Sequence, residues 1–119
     1  MPTLRALSAK LVQLAHEAQR PAEPVVSGEE LRAMLEAKEA ALRPLRKFLA
    51  TLSDEQLQSL EGLMYFGRDC RDGNSEDLRE TTRSVWQGRK AAFLTFEGKS
   101  ADNIASYFDT AFANLAKNG

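Results

Sequence analysis

The chain has one cysteine, one histidine, one tryptophan and four prolines among its 119 residues. A lone cysteine rules out an internal disulfide and a thiolate zinc cluster, and a lone histidine rules out a histidine-rich metal site. No apolar run approaches the ~18 residues that a membrane span requires. An excess of one charge sign is also missing. There are 16 basic and 17 acidic residues, and residues 1–60 carry 8 of each. Nucleic-acid binders gather positive charge into a stripe, because neutralising phosphates supplies most of their affinity. The even mixing here speaks against that class, and the lack of a long apolar run speaks against a membrane partner. The amphipathic N-terminus has Lys10 in its apolar centre, so it lacks a secretory core. It reads as a folded first helix rather than a transit peptide, in a cytoplasmic protein with no cofactor and no metal.

What remains is helical periodicity. Thr3 caps a first helix with the stripe Leu4, Leu7, Leu11, Leu14 and Ala18, which ends near Arg20 because Pro21 and Pro24 follow. This proline-rich connection, residues 21–27, is the one expected hinge. Ser27 and Glu30 form a capping box for a second helix carrying Leu31, Met34, Leu35, Leu42, Leu45, Phe48, Leu49 and Leu52. Pro44 lies inside it, yet Leu42, Leu45, Leu49 and Leu52 keep phase, so a kinked helix or two abutting helices are expected. Ser53 and Gln56 start a third helix on Leu57, Leu60, Leu63, Met64 and Gly67. Tyr65 and Phe66 widen its apolar face, which makes it the expected centre of the fold. A fourth helix is expected from Ser75 through Leu78, Thr82, Val85, Ala92 and Phe96, with Trp86 and Phe93 beside that face. After the turn Glu97-Gly98-Lys99, Ser100 caps a last helix on Ile104, Phe108, Ala111, Phe112 and Leu115. No segment alternates like a strand. The expectation is an all-α single domain, one compact bundle of about five or six helices.

Candidate chemistry concentrates in LMYFGRDCRDGNSED, residues 63–77. Its acids suggest a calcium loop, but alignment on Gly73 puts Arg68 and Arg79 at the first and twelfth ligand positions and Cys70 at the third, so the pattern fails. A turn at Asp72-Gly73-Asn74 followed by a helix cap on Ser75 explains the stretch. Arg68 and Arg71 flank Cys70 and favour its thiolate, but no spacing brings His16 to it. His16 is expected to be solvated. The glutamates of the second helix are interleaved with Arg32, Lys38 and Arg43 and read as a solvated face, with Glu39 pairing to Arg43 one turn on.

In TTRSVWQGRKAAF, Trp86 and Phe93 accompany Arg83, Arg89 and Lys90, with Lys90 one helical turn beyond Trp86. An aromatic beside cations can stack a ligand or anchor a protein interface. Arg89 falls in phase with Val85, Ala92 and Phe96, so it should require a carboxylate partner. The interaction candidates are therefore Arg68, Trp86, Arg89, Lys90 and Phe93, with no catalytic residue assigned.

The segment LSDEQLQSLEGLMYFGRD resembles a family of small bacterial helical proteins known only as a domain of unknown function (type 3775). The likeness rests on Leu57, Leu60, Leu63, Met64, Tyr65, Gly67 and Arg68 and extends over residues 48–115. Asp69 departs from the glycine expected there. The resemblance implies a helix, a polar loop and two further helices, and assigns no activity. Gly67 is expected as a helix C-cap with positive φ, and Arg68 as a partner of the last carbonyls or of an acid on another helix.

Three functional readings follow. The first is a non-enzymatic protein–protein interaction or regulatory module, with a protein partner or a homodimer, using the Trp86 face. The second is a small enzyme or ligand binder centred on Arg68, Cys70 and Arg89. The third, nucleic-acid binding through the Arg79–Lys90 stretch with Arg83 and Arg89, is the one that the charge balance disfavours.

Overall fold

In a computed structural model that describes residues 3–19 and 27–119, capping and periodicity divide the described residues into six α-helices. They are α1 (Leu4–Ala18), α2 (Gly28–Thr51), α3 (Asp54–Asp69), α4 (Ser75–Val85), α5 (Arg89–Gly98) and α6 (Ala101–Asn118). No strand occurs among the described residues, and none of the helices is long and apolar enough to cross a membrane. Residues 21–26 of the expected hinge lie outside the described residues.

Every start but that of α5, which follows Gly88, is set by a side chain that takes up an orphan N–H group of the first turn. The hydroxyls of Thr3, Ser27, Ser53 and Ser100 accept from the third residue beyond them. Ser53 and Gln56 complete the expected capping box, with Gln56 Oε1 accepting from Ser53 N–H at 2.9 Å. The fourth cap falls on Asn74 instead of Ser75. Its side chain accepts from Glu76 and Asp77 N–H, both at 3.1 Å, and Asp77 answers in a second capping box.

α3 packs against α1, α4, α5 and α6, so the expected central helix is central. Leu57, Leu60, Leu63, Met64 and Phe66 are fully buried, joined by Leu11, Leu45, Leu49, Phe96 and Ile104. Two glycines let neighbouring helices come this close. A Cβ at Gly62 would collide with the Thr82 side chain of α4, and one at Gly67 with the Tyr107 backbone of α6. Gly67 is therefore not a C-cap. It lies inside α3 with no positive φ, the helix runs on to Asp69, and Cys70 is the cap, its N–H donating to the Phe66 carbonyl at 2.9 Å.

Two other expectations are corrected. Residues 75–96 do not form one helix: α4 stops at Val85, and Trp86 and Gly88 adopt extended and positive-φ backbone before α5 begins. Thr81, Thr82, Ser84 and Val85 are poor helix formers. The hydroxyls of Thr82 and Ser84 also donate to helix carbonyls, at 2.7 and 3.2 Å, which weakens the helix they sit in. Gly88, with φ 104, ends the register because only glycine takes that conformation cheaply. The Pro44 break, by contrast, does not divide α2, which runs unbroken through it. Glu39 pairs two turns on with Arg46 at 2.7 Å rather than one turn on with Arg43, because Arg46 is already fixed by Glu97 of α5 at 2.6 Å.

Candidate functional site

The stretch that first suggested an ion loop is held by α6. Asn114 Nδ2 donates to the Cys70 carbonyl at 3.1 Å, and Asn118 Nδ2 to the carbonyls of Asp72 and Gly73 at 3.0 and 3.2 Å. Asp72 has φ 58, a conformation that aspartate tolerates better than most residues, and Gly73 N–H closes the turn onto Cys70. Cys70 is half-buried, its sulfur 3.3 Å from the Thr81 hydroxyl. Arg68 makes a two-pronged pair with its own neighbour Asp69, at 2.7 and 2.9 Å, and lies over the Tyr65 ring at 4.5 Å. The Arg68 guanidinium holds the Asp69 carboxyl below its ordinary range through that hydrogen bond.

Arg89 finds the carboxylate that its phase required. Its Nη1 donates to Asp54 Oδ1 at 2.9 Å, and its Nη2 to the carbonyls of Leu49 and Ala50 at 3.3 and 3.2 Å. One guanidinium thus caps the end of α2, holds the start of α3 and anchors the first residue of α5. Arg68, Cys70 and Arg89 are each engaged by different partners and are not brought together. Trp86 is half-buried at the end of α4, and Phe93 is half-buried, 5.5 Å below the Arg89 guanidinium. Both pack on the core. Lys90 is exposed on the first turn of α5. Since Trp86 precedes the break, the Trp86–Lys90 step is not a turn of helix. Arg79 and Arg83 line a groove of about 470 Å³ with Glu55, Gln58 and Leu78, and neither Arg89 nor Asp54 is among its lining residues.

The most unusual chemistry is elsewhere, under the α4–α5 break. Glu61 points from α3 into the packed interior and is only 2% exposed. Its Oε1 has no hydrogen-bond partner, the one buried side-chain polar atom among the described residues in that condition. A carboxyl oxygen buried without a partner is costly, and native proteins seldom leave one so outside functional sites. Burial pushes the Glu61 carboxyl above its ordinary range, and hydrogen bonding with Thr95 opposes this more weakly. The Ala91 carbonyl, 3.0 Å from the Thr95 hydroxyl, competes for its single proton.

Glu61 lines a cleft of about 300 Å³ with Tyr65, Ser84, Val85, Gln87, Ala91 and Thr95. Glu61 and Tyr65 are one turn apart on α3, as are Ala91 and Thr95 on α5, so one face of each helix forms a wall. Ser84 and Val85 end α4, and Gln87 belongs to the break itself. The cleft thus exists because α4 and α5 are two helices. Lys99 lies 5.3 Å from the Tyr65 ring, which it shares with Arg68.

No protein-family model, curated protein or solved structure matches the chain. The site therefore rests on its own chemistry. None of the five interaction candidates drawn from the sequence lines this cleft. Glu61 did leave a trace: it stands four residues after Leu57 and three before Met64, a carboxylate inside the stripe that the core buries. The cleft around it left none, because it depends on the break at residues 86–88.

Proposed function

We propose that this protein is a non-enzymatic recognition module, and that the Glu61 cleft receives a basic side chain, lysine or arginine, from a protein partner. The observation that carries this reading is the buried, unpartnered Oε1 of Glu61 at the base of an open cleft. An ammonium or guanidinium group would supply the missing donor and the countercharge together, and charge-assisted hydrogen bonds are among the strongest available. The hydroxyls of Ser84 and Thr95 and the Gln87 amide offer further acceptors. Val85 and Ala91 offer an apolar wall for an aliphatic stem. At about 300 Å³ the cleft is at the small end of ligand sites, the scale of one side chain rather than a cofactor. The likeness of residues 48–115 to the family of unknown function belongs to this proposal and adds no activity to it.

A short peptide with a central lysine or arginine, titrated into the labelled protein, should shift the backbone amide signals of Glu61, Tyr65, Gln87 and Thr95. Glu61→Gln should abolish the response, and a norleucine peptide should give none. Free alkylamines that bind as well as the peptide would redirect the reading toward a small-molecule amine. Shifts elsewhere, or shifts retained in Glu61→Gln, would refute it.

A further inference from the structure

α2 is twenty-four residues long, but the bundle uses only its second half. Leu45 and Leu49 are buried, whereas among residues 28–40 only Met34 is not exposed. Leu31 is 43% exposed and Leu35 53%. The projection also shows in the dimensions, 52 × 25 × 24 Å, and in a radius of gyration of 15.8 Å. A compact domain of this length has a radius of about 13.5 Å.

The exposed stripe continues the buried one. Positions 31, 35, 38, 42, 45, 49 and 52 alternate steps of four and three, and all but Lys38 are leucine. That is the heptad spacing of a helix that pairs with another helix along its length. Inside the domain the seam is met by the core; outside it, no described helix meets it. Charges of both signs flank that stripe: within residues 28–42 Arg32 and Lys38 lie among Glu29, Glu30, Glu36 and Glu39, whereas Arg46, farther on, is already held by Glu39 and Glu97.

From this pattern we infer that residues 28–42 of α2 form a self-association surface, pairing antiparallel with the same segment of a second copy. An antiparallel two-fold arrangement sets Arg32 of each helix beside Glu39 of the other, and Glu36 beside Lys38, as a self-complementary interface requires. Leu31 then meets Leu42 of the second copy, and Lys38 lies beside its Leu35 and Glu36. A single lysine on an otherwise leucine seam costs stability but narrows the register, because alignments that leave it against leucine alone are disfavoured. Parallel pairing would place acid on acid and base on base. The surface is separate from the Glu61 cleft, so its failure leaves the proposed recognition function standing.

Sedimentation equilibrium of the full chain, from micromolar to millimolar concentration, tests the inference. A monomer–dimer equilibrium is expected that weakens with added salt, as attraction between exposed charges is screened. Leu35→Glu, present twice per dimer, should raise the dissociation constant by at least about tenfold, and Leu31→Lys should act alike. Both sites are exposed in the single chain, so circular dichroism and the thermal transition of the dilute protein should stay as they are. A chain that remains monomeric throughout would overturn the inference. So would a dimer indifferent to both substitutions, or one that salt strengthens.

Discussion

Glu61 and Arg89 are both charged residues on faces turned toward the interior, and they differ in what meets them. Arg89 reaches a carboxylate and two carbonyls that helix ends leave unsatisfied, so its charge is fully used. Arg89→Lys keeps the charge but cannot span three acceptors in one plane. We expect it to destabilise the fold by about 1–2 kcal/mol in urea titrations, and Arg89→Ala by somewhat more. Glu61 has no such partner set. Because burial raises its pKa in the folded chain, both folded and unfolded states carry the proton in acid, and the folded state keeps it longer as pH rises. Stability is therefore lost from the ordinary carboxylate range upward, until pH passes the folded value. Glu61→Gln removes that loss. Its melting temperature should match that of the unmodified chain in acid and exceed it increasingly toward neutral pH, as calorimetry across pH will show. The need of Arg89 for an acid was legible from its phase with Val85, Ala92 and Phe96. Which acid was not, since Asp54 is 35 positions away.

Among the elements, boundaries set by capping chemistry were legible and those set by backbone exceptions were not. Thr3, Ser27, Ser53 and Ser100 announce helices because the hydroxyl and the third residue beyond are local. The break at Trp86-Gln87-Gly88 is hidden because the apolar phase of Val85, Ala92 and Phe96 runs straight across it. Gly88 is what reads out the break, and its conformation, φ 104 and ψ 168, is nearly closed to other residues. Gly88→Ala should cost about 1–3 kcal/mol in thermal or urea unfolding, although a Cβ there meets no other atom. It should also weaken binding in the cleft, because the break positions Ser84, Gln87 and Ala91 around Glu61. Gly67 illustrates the opposite error. A glycine near a helix end suggests a cap, but the α6 backbone passing over it is a tertiary fact that no local pattern encodes.

For the molecule as a whole, an all-α bundle around α3 follows from one helix being apolar on several faces while its neighbours are apolar on one. The core leucines were legible for that reason. The polar cleft was not, being assembled from three elements and a break. Its function turns on whether the buried acid, with one oxygen left unpartnered, is ready for a cation. The most direct measurement is a pH titration of the Glu61 side-chain carboxyl by NMR, in the free protein and with a lysine- or arginine-centred peptide bound. The free carboxyl should titrate above the ordinary glutamate range, and the peptide should lower its midpoint as the bound cation stabilises the ionised form. A free carboxyl that titrates in the ordinary range, or a midpoint that bound peptide does not move, would contradict the account.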